Sequence, residues 1–485
     1  NGSTGVLPSA LHVVVIVLGD VGRSPRMQYH AHSLLQEGHT VSLVGYEGED
    51  LIPALAAASD AAKEENRRLN VIRFVVPSPK IFQRFLPLYL MWRIVSLCVY
   101  VMYALWVSVP SKAGGAHKKV DCVLVQNPPA VPLLAIVYLY CRFWMKCAFV
   151  IDWHNLGYTM LSNPLFSHLA RLYEQTMAPL ATGHLCVTAA MKSFLQRQFA
   201  IPPDTIRVLY DCPNSMFRPR TIQDNHQLLT KLHESLCSAC PQKSWYRHLD
   251  PSCQTFFTER RQQGVDGREE YVPRVSRPAL ITSSTSWTPD EDFGQLLEAL
   301  VGLDETITAK QLSLRIVVVV TGKGPLKTQF LQKISKQRLD NVAIQTVWLE
   351  PSDYPRLLAC ADVGISLHTS TSGLDLPMKI LDSFGCHVPV CARNFKCLSE
   401  LVQDDVNGRV FDTSLQLQDQ LFRLLQPLAT MSSGSSNSNG WPPHGFGDLA
   451  RYSRALEGRT KWDENWKQNA LPAIETAVAS TRSRK

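Results

Sequence analysis

The chain has 485 residues, enough for two domains of ordinary size, and its 45% hydrophobic and 19% charged residues indicate a globular protein, neither disordered nor an integral multi-span membrane protein. The net charge of +7 is modest and comes mostly from the first half, where it favours phosphates or an anionic membrane surface. No basic stretch interleaved with aromatic residues indicates a nucleic-acid partner. The 13 cysteines lack regular spacing, and Cys237 and Cys240 have no second pair nearby, so we expect reduced thiols facing the cytosol and no zinc site.

Apolar runs alternate with helical stretches along most of the chain, which predicts an α/β protein with two consecutive doubly wound domains on parallel sheets. The predicted strands are residues 12–18, 40–46, 71–76, 121–126, 148–152, 184–188 and 206–210, then 279–283, 314–321, 342–348, 363–367, 388–392 and 409–411. We expect a first domain at residues 1–212, an irregular connecting segment at 213–277, a second domain at 278–430, a flexible Gly/Ser-rich insertion at 431–446 and a helical tail at 447–485.

Residues 85–109 form an unusually apolar stretch, in which Arg93 is the only charged residue from Leu86 to Val109. The length suffices for a membrane span, but a span would place two strands of one sheet on opposite sides of the bilayer. A buried crossover helix is one alternative, and a helix lying in the membrane interface fits better. Its aromatic anchors would be Trp92, Tyr100, Tyr103 and Trp106. This segment points to a membrane-bound substrate.

The first strand breaks at a glycine and passes through a short polar loop into a helix that Pro25 can open. Such a turn presents backbone N–H groups and a helix dipole to an anion, and Arg23 and Arg26 add charge. The Gly-x-Gly-x-x-Gly spacing of dinucleotide sites is absent. Because glycine-broken turns are common in α/β folds, the loop alone leaves a purely structural role open.

Two loops of the second half have a similar character. The strand at 314–321 runs into Thr321-Gly322-Lys323-Gly324-Pro325-Leu326, which offers backbone N–H groups and one ammonium to a phosphate. The strand before it ends in hydroxyl residues, including Ser286, that suit a diphosphate. We expect Thr288 and Glu291, three residues apart, to form a capping box for the next helix.

A third loop spans residues 368–382, where Pro377 opens a helix that carries Lys379 and Asp382 on one face. A cation beside a carboxylate at the carboxyl end of a parallel strand suits a nucleoside diphosphate, with Lys379 for phosphate and Asp382 for a ribose diol. A surface ion pair is the alternative, which the flanking apolar residues disfavour. Three such loops at one sheet edge are a stronger indication than any one of them.

The first half supplies Asp152-Trp153-His154-Asn155 and Gln126-Asn127-Pro128-Pro129 directly after apolar strands. A histidine and a carboxylate at strand ends facing a cleft are what a glycosyl transfer needs, because one group removes the proton of the acceptor hydroxyl and others hold the sugar. A structurally satisfied histidine remains the alternative for His154.

Together these stretches resemble the chitobiosyldiphosphodolichol β-mannosyltransferases, which add the first mannose to the dolichol-linked oligosaccharide. The matching segments, in order, are 19–31, 126–129, 152–155, 185–188, 283–293, 321–326, 348–349, 367–384 and 394–398. The resemblance implies a GT-B fold of two Rossmann-like domains with parallel sheets facing across a cleft. It implies transfer from GDP-mannose to GlcNAc2-diphosphodolichol with inversion, on the cytosolic face of the endoplasmic reticulum membrane. The family normally begins with a hydrophobic anchor that this sequence does not show, so we expect attachment through the internal helix or through residues not present here.

The resemblance also suggests roles for the residues above. The expected donor-binding residues are Ser286, Lys323, Gly324, Asp375, Lys379 and Asp382, and the expected acceptor-diphosphate residues are Gly22, Arg23 and Arg26. Asp20 is the first candidate for the catalytic base and His154 the second. Positive and N–H groups would stabilise the GDP leaving group, so no tightly bound cofactor or metal is expected. Mg²⁺ could stimulate transfer, but no motif predicts it.

Other functions stay open at this stage. A cytosolic GT-B enzyme that uses a UDP-sugar and a soluble acceptor is the nearest rival, and a nucleotide-sugar epimerase would have no use for the long apolar helix. A catalytically silent GT-B scaffold for other dolichol-pathway glycosyltransferases is a third possibility. The anion-binding loops argue against it, because a scaffold has no physical need for them.

Overall fold

The computed structural model describes residues 10–61, 68–75, 86–109, 119–263, 268–289, 291–430 and 446–484. The chain divides into two compact units. Unit 1 comprises Asn1–Asp211 and Trp462–Lys485, and unit 2 comprises Cys212–Lys461. The chain therefore leaves unit 1 and returns to it at its last helix.

Unit 1 is built on a seven-stranded parallel sheet with the order β3-β2-β1-β4-β5-β6-β7. Its strands are β1 (His12–Asp20), β2 (Thr40–Tyr46), β3 (Leu69–Phe74), β4 (Cys122–Asn127), β5 (Ala148–Trp153), β6 (Gly183–Cys186) and β7 (Ile206–Val208). The β-branched run of β1 is buried along both faces, as expected for a central strand of a parallel sheet.

The first six helices belong to unit 1: α1 (Pro25–Gln36), α2 (Pro53–Ala61), α3 (Leu86–Tyr103), α4 (Leu133–Leu139), α5 (Pro164–Met177) and α6 (Ala189–Phe199). Helix α3 continues into a wider π-helical turn at Ala104–Ser108, and α4 continues into another at Tyr140–Met145.

Unit 2 is built on a six-stranded parallel sheet with the order β12-β11-β10-β13-β14-β15, and it carries a separate antiparallel hairpin, β8-β9. Its strands are β8 (Thr258–Gln263), β9 (Arg268–Pro273), β10 (Ala279–Ser284), β11 (Ile316–Thr321), β12 (Val342–Val347), β13 (Val363–Ser366), β14 (Val390–Arg393) and β15 (Gly408–Phe411). Its helices are α7 (Ile222–Lys231), α8 (His233–Ser238), α9 (Phe293–Ala309), α10 (Lys327–Ile334), α11 (Asp353–Cys360), α12 (Met378–Gly385), α13 (Ser414–Leu425) and α14 (Gly447–Leu456).

The core of unit 2 lies on both faces of its sheet. On β11, Val318 and Val320 join the cluster that contains α9 and α13, whereas Val317 and Val319 join the cluster that contains α7 and α8. This two-residue alternation places each successive valine on the opposite face, so helices cover both faces. The carboxyl ends of the strands and the loops that follow them remain available for a ligand.

The last helix, α15 (Trp462–Ser483), packs on unit 1. Short 3₁₀ turns complete the described secondary structure at Gly157–Met160, Ala178–Leu180, Pro203–Thr205, Lys243–Trp245, Leu398–Glu400 and Gln426–Thr430.

The predicted α/β fold with two parallel sheets is confirmed, and each predicted parallel strand corresponds to a strand of one of them. The connecting segment predicted at 213–277 contains α7, α8 and the hairpin β8-β9, and of these the hairpin was not predicted. The hairpin was missed because β8 and β9 are mostly polar and lack the alternation that indicates a strand. Most of the predicted Gly/Ser-rich insertion, residues 431–445, lies outside the described residues.

The apolar segment predicted at 85–109 is helical from Leu86, and residue 85 lies outside the described residues. The described part of the chain contains one helix long and apolar enough to cross a membrane, by length and composition. Only 22% of its most apolar window, Met91–Ser108, is buried. Such exposure disfavours a buried crossover helix.

Candidate active site

In unit 1, β1 ends in a loop that Asp20 holds in shape. Asp20 Oδ1 accepts a hydrogen bond from the Gly22 N–H at 2.9 Å, and its Oδ2 accepts one from the Glu49 N–H at 3.0 Å. A Cβ at Gly48 would stand 2.2 Å from Asp20 Oδ2, so a larger residue there would displace the Asp20 carboxylate. Burial alone would raise the pKa of Asp20, but the N–H groups and the nearby Arg23 outweigh it and lower the pKa. Asp20 is therefore a stable carboxylate and a weak proton acceptor.

The two arginines predicted to bind the acceptor diphosphate lie in different environments. The Arg23 side chain is 72% exposed and forms an ion pair with Glu49 at 2.8 Å. Arg26 is buried, with two hydrogen bonds to Asp152 at 2.8 and 2.9 Å and one to Asp211 at 2.7 Å. Burial alone would lower the pKa of Arg26, but these carboxylates outweigh it and raise the pKa. Arg26 is therefore a compensated buried cation that joins α1 to the end of β5, and its contact with the acceptor diphosphate stays a prediction.

Asp152 also contacts two histidines. His154 Nε2 lies 2.8 Å and His30 Nε2 lies 3.1 Å from Asp152 Oδ2. Because Trp466 Nε1 donates to His30 Nδ1 at 2.9 Å, neutral His30 carries its proton on Nε2 and donates it to Asp152. Burial lowers the pKa of His30, which favours this neutral form. Burial alone would raise the pKa of Asp152, but Arg26 and His154 outweigh it and hold the pKa well below its usual range.

Of the two histidines that contact Asp152, His154 is the more accessible, with a side chain 23% exposed against 0% for His30. When neutral His154 donates a hydrogen bond from its Nε2–H group to Asp152, its Nδ1 atom carries a lone pair. This is the arrangement by which a carboxylate orients a histidine as a general base. The geometry supports His154 in that role more directly than Asp20, whose oxygens are both engaged by backbone N–H groups.

A second buried carboxyl group, Glu174 on α5, lies behind this loop. Its Oε1 accepts from the Gly157 N–H at 2.9 Å and from Asn127 Nδ2 at 3.4 Å. Glu174 Oε2, Asn127 Oδ1 and Gln126 Oε1 are buried without a hydrogen-bond partner among the described residues. Burial raises the pKa of Glu174 to about 7, against the opposing effect of the Asn127 and Gly157 hydrogen bonds. Glu174 was not predicted from the sequence, although it is the only carboxylate in an amphipathic helix whose charged residues are otherwise basic.

In unit 2, the loops after β10 and β11 run in backbone contact. A Cβ at Gly322, whose φ is +138°, would stand 1.8 Å from the Thr285 carbonyl oxygen. A Cβ at Gly324 would stand 1.9 Å from the carbonyl oxygen of Ser286. Side chains at both positions are excluded by backbone atoms that cannot rotate away, so glycine is required for the two predicted loops to meet.

Lys323 lies between these glycines and is exposed. Its Nζ stands 3.9 Å from the ring centroid of Trp348, which follows β12, so a cation–π contact holds the ammonium near the sheet edge. Ser286 is exposed on the adjoining loop. The predicted residues Ser286, Lys323 and Gly324 therefore belong to two adjacent loops.

The predicted capping box of Thr288 and Glu291 is wrong. Helix α9 begins at Phe293, and its N-cap is Asp292, whose Oδ1 accepts from the Gly294 N–H at 3.0 Å and the Gln295 N–H at 3.2 Å. A carboxylate immediately before the helix satisfies the free N–H groups, which leaves Glu291 for another role.

Glu291 is a buried carboxylate at the centre of the loop after β10, with a side chain 2% exposed. It forms an ion pair with Lys379 Nζ on α12, accepts a hydrogen bond from Thr285 Oγ1, and accepts another from the Ser286 N–H at 3.2 Å. Lys379, predicted to contact phosphate, is thus placed by Glu291 beside the loop of Ser286.

Lys379 and Asp382 share a face of α12 as predicted, but each contacts a different partner. Tyr354 on α11 hydrogen-bonds to Asp382, and its hydroxyl lies 2.8 Å from Ser284 Oγ. Burial raises the pKa of Asp382 to about 7, with the Tyr354 hydrogen bond opposing the shift. Tyr354 was not predicted from the sequence, because a tyrosine in an amphipathic helix usually belongs to the core.

Asp375 shapes the loop between β13 and α12. Its Oδ1 accepts from Ser370 Oγ and, at 3.2 Å, from Ser372 Oγ. Both donors come from its own loop, so the carboxylate fixes the approach to α12.

A cavity of about 420 Å³ opens beside Glu291 in unit 2, within the range of ligand pockets. Phe293 and Phe330 line it with apolar surface, while Lys333 and Arg393 contribute cations. Among the described residues no group of three or more His, Cys, Asp or Glu side chains is arranged to hold a metal ion.

Comparison with known proteins gives consistent results. A sequence profile described as "Glycosyl transferases group 1" matches residues 280–427. The UDP-glycosyltransferase TURAN of Arabidopsis thaliana is 36% identical, covering 96% of this chain and 97% of that protein. The human chitobiosyldiphosphodolichol beta-mannosyltransferase is 38% identical, covering 96% and 93%, and the Candida albicans protein of the same name is 32% identical, covering 96% and 88%.

Solved structures agree on the fold. A glycosyltransferase from Rickettsia africae superposes with a TM-score of 0.59 at 14% identity, covering 97% of this chain and 99% of that one. The catalytic domain of starch synthase IV from Arabidopsis thaliana gives 0.58 at 10% identity, covering 98% and 100%. With a GT-B-like fold, a matching glycosyltransferase profile and relatives above 30% identity over nearly the whole chain, this chain is a glycosyltransferase and belongs to the chitobiosyldiphosphodolichol β-mannosyltransferase family.

Proposed function

We propose that the protein transfers mannose from GDP-mannose to the chitobiose of GlcNAc2-diphosphodolichol with inversion, forming a β1,4 linkage. The observation that carries this proposal is the 38% identity to the human chitobiosyldiphosphodolichol beta-mannosyltransferase over nearly the whole of both chains. The reaction would take place at the cytosolic face of the endoplasmic reticulum membrane, where the lipid tail of the acceptor stays in the bilayer. The exposed apolar helix α3 supports an association with a membrane.

Unit 2 would bind the donor. Lys323, Lys379 and the backbone N–H groups of the two touching loops would stabilise the negative charge that develops on GDP as the glycosidic bond breaks. Ser286 would donate a hydrogen bond to the diphosphate, and Asp382 would accept from the ribose hydroxyls. In this proposal these protein groups stabilise the negative charge on GDP.

Unit 1 would bind the acceptor and supply the base. As the acceptor hydroxyl oxygen attacks the anomeric carbon from the face opposite GDP, its proton moves to Nδ1 of His154, and the electron pair of the broken bond leaves with GDP. Asp152 stabilises the imidazolium that forms. Asp20 and Gly22 would shape the loop, and Arg23 would contact the acceptor diphosphate.

The test uses purified full-length protein, radiolabelled GDP-mannose and a phytanyl-diphosphate chitobiose acceptor. We expect a labelled lipid-linked trisaccharide that β-mannosidase degrades after mild acid release. His154→Ala should abolish turnover and keep GDP binding, whereas Asp20→Asn should retain part of the activity. Normal turnover by His154→Ala would move the base to Asp20, and no product from the unmodified protein would favour a scaffold or a different acceptor.

A UDP-sugar donor is the second candidate, and the name of the Arabidopsis relative favours it. Guanine and uracil nucleotides can be compared by their effect on thermal unfolding, since a ligand that binds only the folded state stabilises it. We expect a larger shift with GDP than with UDP. The reverse order would replace the proposed donor.

A further inference from the structure

Helix α5 of unit 1 presents apolar side chains to the outside. Leu165, Phe166, Leu169 and Leu172 are 64%, 47%, 51% and 52% exposed. They recur at one, four and seven residues from Leu165, which is the spacing of a continuous helical stripe. A surface helix normally turns such a stripe toward the core, so this stripe is suited to an apolar partner.

The end of α4 and its π-helical turn carry a second exposed apolar group. Leu139, Phe143 and Trp144 are 52%, 67% and 64% exposed. Helix α3 contributes a third group, Met91, Val95, Val99 and Tyr103, exposed at 59%, 55%, 54% and 59%. Each group is larger than the isolated apolar side chains found on ordinary protein surfaces.

Contacts join the three elements that carry these groups. Tyr173 on α5 accepts a hydrogen bond from the Ala135 N–H of α4 at 2.9 Å and donates to the Pro132 carbonyl at 3.2 Å. The Trp106 ring, in the turn that continues α3, lies 4.7 Å from the Tyr140 ring and 6.3 Å from the Trp144 ring, between centroids. We call the exposed apolar residues of α3, of Leu139–Trp144 and of α5 the apolar face.

Charge around the apolar face has one sign on the outside. Arg142, Lys146 and Arg171 are exposed, and no residue of 86–109 or 133–146 is acidic. The only carboxylate of 157–177, Glu174, is fully buried. Aromatic and aliphatic side chains with basic residues at their margin match the boundary between anionic headgroups and acyl chains.

We propose that the apolar face is a membrane-docking surface, in which α5 and the α4 turn enter the interface of an anionic bilayer together with α3. The choice of a bilayer as occupant rests on the proposed function, since a lipid-linked acceptor must be reached at a membrane. Exposed cations without exposed carboxylates favour anionic lipid over a soluble protein partner. Helix α5 thereby connects the membrane to the site, because its inner side places Glu174 against Gly157 and Asn127.

Flotation of the full-length protein with vesicles of phosphatidylcholine and phosphatidylserine tests this surface. The triple variant Leu165→Glu, Leu169→Glu, Leu172→Glu should lower the vesicle partition coefficient about tenfold or more. The matched control, Leu331→Glu, Val406→Glu, Leu415→Glu, changes three exposed apolar residues of unit 2 and should keep it. Neutralising Arg142 and Lys146 should weaken binding to anionic vesicles and leave binding to pure phosphatidylcholine unchanged.

Hydrogen exchange of the unmodified protein provides a second measurement that needs no variant. Amides of residues 165–172 should exchange more slowly when vesicles are present. Unchanged flotation of the α5 triple variant, or no added protection in α5, would overturn the proposal. Activity on the detergent-dispersed acceptor is measured in parallel: if the unmodified protein docks through α5 but transfers no mannose, the proposed function fails and the docking surface stands.

Discussion

The ion pair between Glu291 and Lys379 predicts that its two members are unequal in their effect on stability. The Glu291 side chain is 2% exposed, whereas that of Lys379 is 27% exposed. Removing the cation leaves a buried carboxylate without its counter-charge. Removing the carboxylate charge leaves an ammonium that can turn toward solvent. We therefore expect Lys379→Met to be the more destabilising change.

The magnitudes follow from these environments. Loss of one partner of a buried pair costs about 3–5 kcal/mol, and Lys379→Met should lie near 3 kcal/mol because Thr285 and the Ser286 N–H still donate to Glu291. Glu291→Gln removes a charge-assisted hydrogen bond and keeps the shape of the side chain, so about 1 kcal/mol is expected. The ratio of the two costs is the quantity to measure.

The assay is native-state hydrogen exchange in low urea, followed at the amides of β10 and β11, because it reports on unit 2 without assuming one cooperative transition for the whole chain. Lys336→Met, which changes an exposed lysine of the same unit, is the matched control and should have little effect. Equal costs for the two variants, or a larger cost for Glu291→Gln, would refute the view that burial of Glu291 makes the pair asymmetric.

Three further outcomes can be checked. Gly324→Ala places a Cβ 1.9 Å from the Ser286 carbonyl oxygen, so it should force the two loops apart and weaken GDP binding about tenfold or more, measured by calorimetry; unchanged affinity would mean that GDP does not bind at these loops. Burial raises the pKa of Glu174 from its ordinary 4.5 to about 7. Between these two pH values the folded protein keeps the proton and the unfolded chain loses it, so the free energy of unfolding falls as the pH rises. Glu174→Gln should remove that fall, worth about 3 kcal/mol, when the free energy of unfolding is measured in urea at pH 5, 6 and 8. The same dependence of this free energy on pH in the variant and in the unmodified protein would contradict the prediction. Arg26→Met leaves buried Asp152 without its bidentate partner and should cost about 3–5 kcal/mol in unit 1, with Arg26→Lys recovering only part of this loss; a cost below about 1 kcal/mol would show that the cluster tolerates an uncompensated carboxylate.

Much of the fold was accessible from the sequence because both sheets are parallel and buried on both faces. A run of β-branched residues such as the valines of β11 predicts a buried strand, and the length of chain between two such runs predicts the helix that connects them. The polar hairpin β8-β9 could not be found in this way, since no apolar alternation marks it. Its pairing depends on backbone hydrogen bonds, which polar side chains neither require nor prevent.

The sequence predicted which loops carry the candidate site residues, but it did not predict which charged groups those residues contact. The glycines at 322 and 324 and the strand-end residues Asp152 and His154 stand where the sequence indicated. The partners of a charged group depend on side chains distant in sequence: Arg26 meets Asp152 126 residues later, and Lys379 meets Glu291 88 residues earlier. Local spacing instead assigned Glu291 to a helix cap three residues from Thr288. Without knowledge of such long-range pairs, a compensated charge and an available one look the same in a sequence.

The position of α15 has a consequence for how the protein is made. Trp466 donates to His30, and Trp462 donates to Ser33, across more than 400 residues of chain. Unit 2 is continuous in sequence and can fold while translation proceeds, whereas unit 1 lacks part of its interior until residues 462–483 have left the ribosome. A nascent chain of which only residues up to 461 have emerged would carry a complete unit 2 and a unit 1 whose His30 has no indole partner. Premature termination before residue 462 should therefore damage the unit that was synthesised first.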